Sequence, residues 1–158
     1  GGGGGDSTPG TGAPGTPGSS GLTVAKDADP GDAVRWLPDP EEHDFPAAAA
    51  YLSLLAPQSV VDALVTAFRS APTTHQKAKD ILRASGLALL DVTNPHVAAD
   101  LRKIDDGKDL SPVLVVRGDL LTGRHAIVAD GYHRVCASYH TDENTDIPLR
   151  LVDPPAGS

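Results

Sequence analysis

Five consecutive residues, Asp130, Gly131, Tyr132, His133 and Arg134, bring together the groups needed to hold an anion. They follow the apolar run Ile127-Val128-Ala129, so a buried strand is expected to turn through glycine into a helix with His133 and Arg134 in its first turn. The opening N–H groups of such a helix lack intrahelical partners and point outward with the positive end of the dipole, which offers a phosphate several hydrogen bonds. Gly131 would let the phosphate come close to the backbone. Arg134 adds a planar pair of donors, and His133 donates one more bond or moves a proton near neutral pH. The same residues also read as an ordinary helix start, with Gly131 making the turn, Asp130 as cap, and His133 and Arg134 solvated.

Other side chains border this turn in sequence or share its chemistry. Tyr132 lies on one apolar helical face with Val135, Cys136 and Tyr139, where it packs into the core or offers its ring to a nucleobase. Cys136 on that face reads as a small buried hydrophobe. Lys77 and Lys79 are expected on a helix where they could close over bound phosphate, with Arg83 four residues beyond Lys79; a solvated helix face is the plainer reading. His96 and Asp100 form an orienting pair or half of a metal site, but two ligands do not close one, and no metal-ligating residue is assigned. The run Glu41, Glu42, His43, Asp44 supplies paired carboxylates that suit acid–base work and equally suit the start of a helix.

The elements that must position these groups follow from periodicity and punctuation. Helices are expected over 46–55, over the spacing Val60, Val61, Leu64, Val65, Phe68, and over 74–85 with a stop at Gly86. A short strand is expected over 87–92, then a helix opened by Asn94-Pro95 and running through Ile104 to a stop at Gly107. Strands over 112–117 and 126–129 flank a turn at 118–124, a helix spans 132–140, and a strand over 147–152 closes the fold. This is an α+β pattern, a small mixed sheet with packed helices preceded by an N-terminal helical layer at 35–86. Residues 1–34, rich in Gly, Ser, Thr and Pro, read as a disordered leader, and 153–158 as a flexible tail.

Composition narrows the function classes. The chain has 158 residues and 39% hydrophobic content, enough for one core. It has 13 Lys and Arg against 21 Asp and Glu, a net charge of −8, which disfavours a broad DNA-binding surface without excluding a local one. One cysteine forms no internal disulfide, and no apolar run is long enough to span a membrane, so a cytoplasmic location is expected. With no methionine, the chain reads as a fragment or processed form. No Walker-type phosphate loop, G-x-S-x-G elbow or H-E-x-x-H helix is present.

The blocks Leu110-Ser111-Pro112-Val113-Leu114-Val115-Val116, Ile127 through Ala137, and Ile147-Pro148-Leu149-Arg150-Leu151-Val152 resemble the core of the ParB/sulfiredoxin superfamily in order and spacing. The resemblance covers roughly residues 87–152 and extends upstream to Asn94-Pro95 and the helix that follows. It implies that Gly131, His133 and Arg134 hold the phosphates of ATP or another nucleotide, with Mg²⁺ accompanying it and Asp130 helping to hold the metal. It further implies phosphoryl transfer to a small acceptor or nucleotide hydrolysis, with His133 and Asp130 as the catalytic candidates. A ParB-like nuclease or DNA-associated module, or a regulatory domain that has lost the reaction, are the alternatives. Sulfiredoxins carry their catalytic cysteine immediately before the His-Arg pair, where this chain has Tyr132, so sulfinic-acid reduction is not implied. ParB proteins typically show Gly-Glu-Arg-Arg at this turn, so their CTP switch is not implied either.

Overall fold

The computed structural model describes residues 33–155. The expected leader over 1–34 therefore lies outside the described residues except for its last two positions, and one of these, Val34, is buried in the core. The elements are β1 (Arg35–Trp36), α1 (Asp44–Leu52), α2 (Gln58–Ser70), β2 (Thr73–Lys77) and α3 (Ala78–Ser85), followed by α4 (Pro95–Asp105), β3 (Asp109–Leu110), β4 (Val113–Val116), β5 (Ile127–Asp130), α5 (Tyr132–Thr141) and β6 (Asp146–Val152). The fold is α+β, as the pattern of elements predicts.

Four strands form a mixed sheet in the order β2-β6-β4-β5. β4 and β5 are antiparallel, β4 and β6 are parallel across the α5 crossover, and β2 pairs antiparallel with β6. Alternation along the strands sends side chains to two opposite faces. Val113, Val115, Val128, Ile147 and Leu149 pack with α3, α4 and α5, whereas Leu114, Val116, Ala129 and Val152 pack with Phe45, Leu52, Leu64 and Phe68 of α1 and α2. The sheet is thus covered on both sides, which is why β4 is buried at all four positions and reads as an unbroken apolar run. β1 and β3 make a separate two-stranded parallel pair.

Two expectations are corrected. The helix expected over 74–85 begins only at Ala78, because Thr73–Lys77 form β2 in register with Asp146–Arg150. Two β-branched threonines favour extended backbone, and β6 supplies the hydrogen-bonding partner that local periodicity cannot register. The segment 35–86 is therefore more than a helical layer, since it contributes an edge strand to the sheet. The strand expected over 87–92 is absent: that segment is irregular, held where Tyr132 Oη donates to Ala88 O (2.5 Å) and His140 Nε2 bonds Leu90 O (2.7 Å).

Helix ends follow local chemistry. Asn94 Oδ1 accepts from His96 N (2.9 Å) and Val97 N (3.2 Å), with Pro95 in the first turn, and this cap sets the start of α4. α3 stops at Gly86, which takes a left-handed φ of 67°. At the end of α2, Arg150 Nη1 donates to Phe68 O and Arg69 O, both at 3.0 Å, placing a cation where the helix dipole is negative.

Candidate functional site

The turn from β5 into α5 forms as its sequence suggests. Asp130 ends β5, Gly131 has φ 112°, and α5 begins at Tyr132. No side chain caps α5, and Val135 N is the amide that returns to Gly131 O (3.0 Å). Gly131, Tyr132, His133 and Arg134 are all half-buried, so the first turn of the helix is reachable from solvent.

Gly131 makes the turn, one of the two roles its sequence position suggests. A Cβ at this position would lie 2.9 Å from Arg134 Nη2 and 2.9 Å from Val113 Cγ2. The space beside its Cα is filled by protein, so glycine is required for the left-handed backbone and for the close fit of Arg134 and Val113 rather than to admit phosphate on that side. Arg134 turns back over the strand: Nη2 donates to Asp130 Oδ2 (2.8 Å) and to Pro112 O (3.3 Å). Its Nε is buried without a hydrogen-bond partner. The guanidinium is thus anchored on one side and keeps an unused donor.

Asp130 stands against a second carboxyl that sequence reasoning did not assign to the site. Asp44, 1% exposed at the start of α1, accepts from Glu41 N (2.8 Å) and lies 3.5 Å from His43 Nε2. Burial holds the Asp130 carboxyl above the usual carboxylate range, Arg134 pulls it down, and the neighbouring Asp44 carboxyl pushes it further up. The acidic run at the start of α1 offered Asp44 as a helix-start residue or an acid–base group, with nothing to link it to Asp130. Its approach to Asp130 depends on α1 packing over β5, a contact with no local signature.

A third group faces the α5 start from α4. The His96 and His133 rings lie 4.8 Å apart between centroids, and the Tyr132 ring lies 5.7 Å from His133. His133 is held below the ordinary histidine range, first by burial and then by His96, with Asp100 opposing. Asp100 is pushed up by burial and drawn down by Lys103, Arg134, His133 and His96. His96 and Asp100 therefore belong to the electrostatic surroundings of His133. Among the described residues no group of three or more His, Cys, Asp or Glu side chains is arranged to hold a metal ion. Asp130, the residue expected to help hold Mg²⁺, accepts from Arg134 through Oδ2.

Lys77 and Lys79 fall elsewhere. Ala78 N and Lys79 N donate to Thr145 O and Glu143 O, both at 3.0 Å, so Lys77 and Lys79 sit at the C-terminal end of α5. That end is about 15 Å along the helix from Gly131 at 1.5 Å per residue. Lys77 pairs with Asp146 (3.5 Å) and Lys79 with Asp80 (3.1 Å), and neither lysine borders the α5 start. Arg83 also pairs with Asp80 (3.2 Å). Tyr132 packs against the core while its hydroxyl tethers the 87–92 segment, an architectural role. Cys136 is fully buried and burial pushes its thiol up, consistent with a small core hydrophobe. Glu42 pairs with Arg69 (2.7 Å), whose guanidinium covers the Phe45 ring at 4.3 Å.

No protein-family model, no curated protein and no solved structure matches the chain. Among the described residues no helix is long and apolar enough to cross a membrane.

Proposed function

We propose that the chain is a nucleotide-binding domain of the ParB/sulfiredoxin type that takes the phosphates of ATP or a related nucleotide at the start of α5. The observation that carries this reading is the uncapped first turn of α5 together with the unpartnered, buried Nε of Arg134 in that turn. Orphan amides and a cationic donor favour a multiply charged oxyanion over a neutral ligand. The facing imidazoles of His96 and His133 add donors, and His133 gains a proton more readily once phosphate is present. His96 thereby joins the expected set, while Lys77 and Lys79 leave it.

If turnover follows binding, it is phosphoryl transfer or nucleotide hydrolysis, in which positioning and charge neutralisation do most of the work. His133 is the group suited to move a proton there. Binding without turnover is the second reading, favoured by one observation: Asp130 and Arg134 already neutralise each other at 2.8 Å, which leaves no free carboxylate beside His133 on β5.

Thermal melting against a panel of nucleoside mono-, di- and triphosphates, with and without Mg²⁺, tests the proposal, because a ligand selective for the native state raises its stability. Selective stabilisation by polyphosphates is the expected result, and no shift with any nucleotide would overturn it. Arg134→Ala should weaken nucleotide affinity by about 1.5–3 kcal/mol through loss of a charge-assisted bond, read by titration calorimetry.

A further inference from the structure

The connection between β4 and β5 ends in the two most exposed large apolar side chains of the described residues, Leu120 at 96% and Leu121 at 94%. The tip is built firmly. Asp119 N donates to Arg124 O (2.8 Å), Asp119 Oδ1 accepts from Leu121 N (2.9 Å), and Ala126 N is held by Ala84 O (2.9 Å). Two leucines presented in this way to water are an uncovered contact surface.

Next to the tip, and lined in part by Gly123 and Arg124 of the same connection, lies a cavity of about 390 Å³. Its apolar walls are Tyr51, Leu55, Leu87, Ile127 and Val128. Ile127 and Val128 belong to β5, the outermost strand of the sheet on this side, whose free edge is a natural place for another chain to dock. The end of α1 and the residues after it add exposed surface at Tyr51, Leu54 and Leu55. An apolar projection and an apolar recess are thus neighbours, joined through Gly123 and Arg124.

We infer that this face is a self-association surface, in which the Leu120-Leu121 tip of one copy enters the Tyr51–Leu55–Leu87 recess of a second across a two-fold axis. A two-fold contact requires each surface to carry both the projecting and the receiving part, since residue i meets j and j meets i. The sizes agree, because a cavity of about 150 Å³ already takes a benzene-sized group. The charges agree as well. Asp119 and Arg124 give the projecting loop one charge of each sign, so two copies meet without local repulsion and each Asp119 can face the other copy's Arg124. The net charge of −8 opposes an anionic lipid surface, a nucleic acid and a second copy alike, so the choice of a second copy rests on the projection and recess that the chain itself carries side by side.

Sedimentation velocity of the full chain over a range of concentrations reads the association directly. The expected result is a concentration-dependent dimer, weakened roughly tenfold or more by L120S/L121S, with unchanged circular dichroism because both leucines are outside the core. A second variant, Leu55→Glu, places a charge at the recess wall and should also be monomeric. The decisive sample is the mixture: the knobless chain keeps its recess and the blocked chain keeps its leucines, so one intact contact remains and a heterodimer forms where neither variant alone dimerises. A wild-type chain that stays monomeric throughout, a double variant that dimerises like wild type, or a mixture that stays monomeric would each overturn the inference. Leucine-dependent binding to phosphatidylcholine vesicles by a monomeric chain would overturn it in favour of a lipid partner.

Discussion

At the residue scale the α5 start is a balance of charges held partly out of water. Burial and the neighbouring His96 make His133 a weaker base than an ordinary histidine near 6.5. The sign follows: the native state binds this proton less readily than the unfolded chain, so the associated stability is present above 6.5 and is lost as pH falls through the depressed native value. A bound phosphate reverses the preference by stabilising imidazolium. Phosphate or nucleotide affinity should therefore rise as pH is lowered from 8 to 6, and His133→Gln should flatten that dependence in titrations at several pH values. Gly131 is the other sensitive residue. Gly131→Ala puts a methyl group 2.9 Å from Arg134 and Val113 on a backbone of φ 112°, so a loss of about 1–3 kcal/mol or more is expected in urea unfolding.

At the element scale, the site is the meeting point of four segments. β5 delivers Asp130, α5 delivers His133 and Arg134, α4 delivers His96 and Asp100, and α1 delivers Asp44. The capping of α4 by Asn94 matters here because it determines where His96 sits, two residues into the cap. Asn94→Ala should cost about 1 kcal/mol of stability, measured by thermal or chemical unfolding, and loosen the His96–His133 contact. Arg150 plays the comparable part for α2 by closing its C-terminal carbonyls, which ties β6 to the helix that buries Phe68.

At the scale of the whole molecule, stability depends on a sheet covered on both faces. Phe68 is fully buried between α2 and the sheet, in the cluster with Leu114 and Val116. Phe68→Ala should destabilise the fold by roughly 3–5 kcal/mol, read by denaturant titration, through lost burial and the cavity left behind. That cluster lies on the face opposite most of α5, so under the nucleotide-binding proposal a partly stable variant should keep its affinity at low temperature, and the measurement there separates folding from recognition.

Much of this was legible along the chain. Apolar runs rich in Val and Ile marked β4 and β5, Asn94-Pro95 marked the start of α4, and Asp130 through Arg134 announced a strand turning through glycine into a helix, because each of these signals is local and short. Tertiary contacts decided the rest. Thr73–Lys77 became a strand since β6 lay alongside to pair with it, and 87–92 stayed irregular since side chains of α5 took up its carbonyls. Arg134 folded onto Asp130, Asp44 arrived beneath it from α1, His96 met His133, and the two lysines were carried to the far end of α5. Sequence alone settles backbone preference and the chemical type of each group, whereas which charged groups stand within a few ångströms of one another depends on how distant elements pack.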